Sequence, residues 1–216
     1  MIMRGLLWFL FLLAVPAVWA GSPAKLQVAR GTVHVLRVNS TLWLPIETGI
    51  DVFEGDKIRG QADTRAMLFL PDGSTADIGP WSLIHVDSFL SQQRSFRLEM
   101  GTIRSVIAHF LGGFQIVTPT AVCAVRGTDF SVSVDPDLKG KTTVEVHGGQ
   151  VHVRDNQGKT TLLAAGDSVV VLAQGMQEPL RAPKPPPNKP LHEGFSKKTF
   201  YFLGILGAAV AAILLL

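Results

Sequence analysis

The residue types able to do chemistry are few in this chain and thinly spread. Its one cysteine, Cys123, lies in the apolar run Ala121-Val-Cys-Ala-Val125. A single thiol rules out an intramolecular disulfide framework and any zinc site that needs two thiolates. Among such neighbours it reads as a buried small hydrophobe, with a redox or crosslinking thiol as the alternative. The histidines are His34, His85, His109, His147, His152 and His192, and none are spaced as His-x-x-x-His or His-x-x-Glu-His. No helix-borne metal pair is therefore encoded. Asp56, Asp72, Asp77 and Asp167 fall where turns are expected, and bonding to nearby backbone accounts for them there. There is no Gly-x-Ser-x-Gly elbow, Walker loop or dinucleotide fingerprint. The expectation is a protein that is not an enzyme and takes no metal or cofactor. Arg126 and Asp129 are the remaining candidates. Arg126 follows an apolar run, and a buried guanidinium must be paired. A salt bridge or bonds to loop carbonyls is its expected role, with an anchor for an anionic ligand as the alternative.

The elements that must position these residues are strands. Between residues 26 and 178 short alternating runs are broken by Gly, Pro, Asp and Asn about every 8–12 residues, the pattern of an all-β sandwich or barrel. Arg65–Leu70, the turn Pro71-Asp-Gly-Ser74 and Thr75–Ile78 form one such unit. In Asp129–Val134, Phe130, Val132 and Val134 share a face. Thr142–His147 and Gln150–Arg154 flank Gly148-Gly149, which suits a two-residue hairpin turn. That turn would pair Val146 with Val151, Glu145 with His152 and Val144 with Val153, placing all four valines on the core face. A weak repeat links Gly31-Thr-Val-His-Val35 and the later Gly55-Asp56 to Gly149-Gln-Val-His-Val153 and the later Gly166-Asp167, with Gly101-Thr-Ile103 as a partial third copy. It sets His34 and His152 between inward valines, facing water. The expected fold is a single two-sheet β-sandwich or β-roll of short antiparallel strands.

Composition and charge place this module in a larger arrangement. The 216 residues are 47% hydrophobic and only 17% charged, which argues against disorder over most of the chain. Residues 1–20 combine Arg4, an apolar run, Pro16 and a small residue at Ala20, the parts of a secretory signal peptide. Residues 179–198 form a linker rich in proline and lysine. Its first twelve residues would span about 37 Å as an extended polyproline helix. Residues 199–216 follow as an apolar segment; the uncharged stretch from Phe200 would reach roughly 26 Å as a helix, enough for a bilayer core. The net charge is +3 overall, yet residues 26–178 hold 13 Lys and Arg against 16 Asp and Glu, a net of −3. The basic excess therefore lies in the ends. A mildly acidic module points away from nucleic acid.

One set of motifs is recognisable. Gly55-Asp-Lys-Ile-Arg-Gly60, Pro71-Asp-Gly-Ser-Thr75 and Leu98-Glu-Met-Gly-Thr-Ile103 are followed by Val117-Thr-Pro-Thr-Ala-Val-Cys-Ala-Val-Arg-Gly-Thr-Asp-Phe130 and Leu163-Ala-Ala-Gly-Asp-Ser-Val169. The segment 50–172 resembles a FecR-type domain. The resemblance implies an exported β-rich module. Well-known members of that family relay a siderophore-receptor signal to a cytoplasmic anti-sigma segment. Here about four residues precede the first apolar run, so that segment is not expected and iron signalling is not carried over. The expected function is an interaction or signalling module on the periplasmic side of the bacterial inner membrane, anchored by its C-terminal helix. Its partner would be an envelope protein or cell-wall component, with homo-oligomers allowed. The alternatives are a sensor for a cell-wall sugar or other small molecule, and a structural component of an envelope assembly.

Overall fold

The computed structural model describes residues 23–89, 93–108 and 112–182. The expected signal peptide, most of the linker and the apolar segment 199–216, with His109 and His192, lie outside these residues. Every element among the described residues is a strand or a turn. Valine, isoleucine and phenylalanine alternate with polar residues, and each strand turns one face inward.

The strands form two facing sheets. Sheet I runs, in spatial order, β4 (Gly49–Val52), β1 (Ala24–Arg30), β6 (Arg65–Phe69), β7 (Thr75–Ile78), the second half of β9 (Gln93–Val106), β12 (Asp129–Asp135), β13 (Lys141–Gly148), β16 (Ser168–Leu172) and β17 (Gly175–Met176). Sheet II runs β3 (Trp43–Ile46), β2 (Val33–Leu36), β5 (Lys57–Gly60), β8 (Leu83–Ser88), the first half of β9, β10 (Gly113–Val117), β11 (Ala121–Val125), β14 (Gln150–Asp155) and β15 (Thr160–Ala164). The expectation of antiparallel strands needs one correction. β10 lies parallel to β9, with Gly113 opposite Gln93 and Val117 opposite Arg97. The chain leaves β9 at the far end of sheet I and must cross to sheet II before β10 begins, so β10 enters in the same direction as β9.

Most strands come in collinear pairs that pass from one sheet to the other around a corner. β1 continues as β2 past Gly31, β9 bends at Gly101, β11 continues as β12 past Gly127, β13 as β14 past Gly149 and β15 as β16 past Gly166. All five glycines have positive φ, between 67° and 87°. The register separates them into two lines. Gly101 pairs with Val134, whereas Asp129, just past Gly127, pairs with Val106 at the other end of the second half of β9. The N-terminal half therefore folds over along one edge and the C-terminal half along the other. β9 belongs to both.

This arrangement overturns the Gly148-Gly149 hairpin. β13 pairs with β12 and β16 in sheet I, and β14 with β11 and β15 in sheet II. Gly149 (φ 82°) carries the chain between layers, and the position of a Cβ there would lie 2.9 Å from the Gly127 carbonyl oxygen. Glu145 thus faces Ser131, and His152 sits between Ala124 and Leu162. Val144, Val146, Val151 and Val153 are buried all the same, because the inner faces of both sheets meet in one core.

Phe96, Phe114 and Phe130 join the layers at the core. Their rings meet edge to face, with centroids 5.3 Å apart for Phe96–Phe114 and 6.4 Å for Phe114–Phe130. Each such side chain contributes roughly 1.5–3 kcal/mol on burial. Most polar groups carried inward are paired; among the described residues the buried Ser105 hydroxyl is the exception. The hydroxyls of Thr118 and Thr120 lie 2.8 and 2.7 Å from that of Thr142, and Thr120 also donates to the Gly140 carbonyl at 2.9 Å. This bonding is the work of the Thr118-Pro-Thr120 turn. The Gly-Asp repeat is a buried clamp in both copies. Asp56 accepts from the Phe53 N–H at 2.9 Å and pairs with Arg37; Asp167 accepts from the Ala164 N–H at 2.9 Å and pairs with Arg181. Asp77, expected at a turn, lies within β7 instead.

A methyl group at Gly101 would lie 2.4 Å from the Ser82 Cα, whereas one at Gly73 meets nothing within 4 Å; both residues have positive φ. Gly73→Ala should cost only the left-handed backbone penalty of about 1–2 kcal/mol. Gly101→Ala should cost more than about 3 kcal/mol, adding overpacking at the corner. Urea unfolding midpoints of the two variants check this ordering, and equal midpoints would refute the corner packing.

Candidate functional site

Arg126 and Asp129 are not brought together. Gly127 turns the chain between them, leaving Arg126 at the sheet II side of the corner and Asp129 at the start of β12. Arg126 is exposed, which corrects the expectation of a buried, paired guanidinium. It borders a shallow hollow of about 360 Å³ with Gln150 and His152. Asp129 pairs instead with Arg104 of β9, in a two-pronged contact of 3.0 and 2.9 Å. The hydrogen bond from Arg104 holds the Asp129 carboxyl below its ordinary value, and Asp77 adds a second negative charge near the guanidinium. The outer face of sheet I here is a polar ladder, continued by Ser131 and His147 with 2.6 Å between oxygen and Nε2.

Cys123 is fully buried in sheet II, and burial pushes its thiol up to about 12. The histidines disperse. His34 is half-buried on β2 beside Gln61, and His152 is exposed on β14. His85 lies 2.9 Å from Glu99, with burial lowering its pKa against the attraction of that carboxylate. Among the described residues no three His, Cys, Asp or Glu side chains converge to hold a metal.

A larger concavity than the hollow beside Arg126 lies elsewhere. A cleft of about 560 Å³ opens where the corner of the N-terminal half meets the end of β12. Pro80, Trp81 and Met100 form one wall, and Ser133, Asp135 and Asp137 the other. Trp81 is 61% exposed and has φ 55°, a left-handed conformation costly for a bulky residue. Flanking backbone bonds hold it there: its N–H donates to the Gln61 carbonyl at 3.1 Å, and Gly60 N–H to the Ser82 carbonyl at 2.9 Å. Across the ring lies a second hollow of about 390 Å³, bordered by Arg59, Gln61 and Met100. The Arg59 guanidinium stacks on the Trp43 ring at 4.0 Å. Sequence reasoning passed over this site. Gly79-Pro-Trp-Ser82 reads as a turn, and the available signal was a large aromatic placed within it.

The FecR protein family model matches residues 56–165, slightly over half of the chain. The chain belongs to the FecR family. The matched segment starts at the Asp56 clamp and ends after β15, so it spans both halves and β9 between them. β1–β4 extend the FecR core on one side, and β16–β17 on the other. An uncharacterized protein of Treponema pallidum (strain Nichols) is 28% identical over 145 residues, covering 66% of this chain and 19% of that protein. Two crystal structures of a candidate anti-sigma factor from Parabacteroides distasonis ATCC 8503 share the fold. They have TM-scores of 0.52 and 0.51 and 21% identity, and in each the match covers 59% of either chain. The chain thus spans well under two thirds of each of these relatives.

Two measurements follow from the site chemistry. Cys123 should resist an aromatic disulfide reagent in the folded protein and react fully once denatured; fast labelling under native conditions would contradict its burial. Asp129 and Asp155 both have carboxyl groups below their ordinary values. For Asp155 burial acts upward, but backbone N–H groups of Met176, Lys159 and Gln157 outweigh it. A depressed native pKa stabilises the fold above the unfolded value near ~3.9 and ceases to do so as pH falls through the native value. The two carboxylates should therefore add a decline below about pH 4, shallower in Asp129→Asn, while the lowered pKa of His85 adds a separate loss that begins as pH falls below its unfolded value of about 6.5. Chemical unfolding across pH 2–7 reads this directly.

Proposed function

We propose that this FecR-family chain is a non-enzymatic interaction and signalling module of the cell envelope. It would be exported by residues 1–20 and tethered through the segment 199–216. The observation that carries this reading is the family match across β5–β15, the part of the fold that holds both lines of corners. The FecR-type motifs imply an exported sensing role. The fold shared with a candidate anti-sigma factor accords with a regulatory task. In this reading the proline-rich stretch 179–190 is a stalk that lifts the acidic module off the periplasmic face of the inner membrane. The partner is an envelope protein or cell-wall component, and no nucleic acid takes part.

Cell fractionation and crosslinking test the proposal together. The full chain should sediment with membranes, with the module accessible to protease added from the periplasmic side. A chain lacking Phe200–Leu216 should be released into the periplasm. Crosslinking in intact cells should capture a discrete envelope partner with the full chain and lose most of it, roughly tenfold or more, with the released form. Recovery of the full chain from the soluble cytoplasm would refute the reading.

A further inference from the structure

We propose that the cleft around Trp81 binds a glycan, an uncharged oligosaccharide lying across the indole ring. This goes beyond the interaction role above and does not depend on it. Three independent features of the cleft converge on this chemistry.

The first is the ring itself. A tryptophan that is 61% exposed, with Met100 beside it, offers a flat apolar platform at the mouth of a cleft. The axial C–H faces of pyranose rings stack on such surfaces, which bury apolar area while leaving hydroxyls free at the rim. Second, the backbone holds Trp81 at φ 55°, where glycine would sit without strain. Bulky residues held in that region cluster at ligand sites.

The third feature is the set of polar groups on either side of the ring. In the larger cleft the Thr102 and Ser133 hydroxyls lie 3.0 Å apart, and Asp135 and Asp137 line the same cleft. In the hollow beyond the ring, Arg59 and Gln61 supply N–H donors. Acceptors on one side and donors on the other suit vicinal hydroxyls, which do both. No Lys, Arg or His lines the larger cleft, and its two carboxylates repel an anionic ligand. A cleft of about 560 Å³ falls within the usual ~300–1,000 Å³ range of ligand sites. Because Trp81 borders both hollows, the ligand that fits has sugar units on each side of the ring, which favours an oligomer over a monosaccharide.

The test uses the full chain in a detergent without a sugar headgroup. Its probes are two uncharged oligosaccharides, N-acetylglucosamine tetramer and cellotetraose, and a lysine- and proline-rich peptide as the competing class. Isothermal titration should show saturable binding of at least one glycan. Trp81→Gly removes the ring and accepts the left-handed backbone. It should weaken glycan binding at least tenfold while the thermal midpoint stays level or rises. Asp135→Asn combined with Asp137→Asn should weaken it about threefold to tenfold. The proposal is overturned if no glycan saturates, if Trp81→Gly binds as tightly as wild type, or if the peptide occupies the site and glycan does not displace it. These readouts are independent of membrane tethering and of partner capture, so a failure here leaves the envelope role to its own test.

Discussion

The whole structure depends on the chain rounding a corner without losing the side-chain alternation that fills the core. A strand passing from one sheet to the other must change direction sharply while the next inward residue still points inward. A residue with positive φ makes that turn, and at Gly101 and Gly149 a neighbouring backbone atom occupies the place where a Cβ would stand. Corner position and core composition are thereby coupled. Bending a strand elsewhere would bring valines to the surface and polar side chains to the interior.

β9 is where this constraint becomes architecture. Its first half pairs with β8 and β10 in sheet II, and its second half with β7 and β12 in sheet I. The N-terminal half folds along one side of the layers and the C-terminal half along the other, so each half's corners lie beside the other's loops. The Trp81 cleft is a product of that juxtaposition. Buried polar anchors hold the arrangement in place: the Asp56 and Asp167 clamps, the Thr118–Thr120–Thr142 cluster, and Asp155 binding the β14–β15 turn to β17. Each satisfies backbone or hydroxyl groups that would otherwise be left without a partner on folding.

Much of the fold was legible from residue order. The strand Asp129–Asp135 with Phe130, Val132 and Val134 inward, the Phe69–Thr75 hairpin and the burial of Cys123 all follow from local alternation and turn chemistry. The Gly148-Gly149 hairpin did not survive, because a glycine pair between two alternating strands serves equally to fold a strand back on itself or to send it into the facing layer. Both solutions bury the same valines. Arg126 failed for a related reason: its neighbour Val125 points inward, and at the corner that alternation places the guanidinium in solvent.

By itself the sequence determined which residues face the interior, where the chain turns and to which family it belongs, since these rest on interactions within a few residues or on a motif read in order. The tertiary structure decided which strands pair beyond the local hairpins, that Arg104 rather than Arg126 accompanies Asp129, and that Trp81 meets the end of β12 across a cleft. Those outcomes depend on contacts between segments more than twenty residues apart. Local preference is degenerate at that range, and only the joint closure of both layers selects one arrangement.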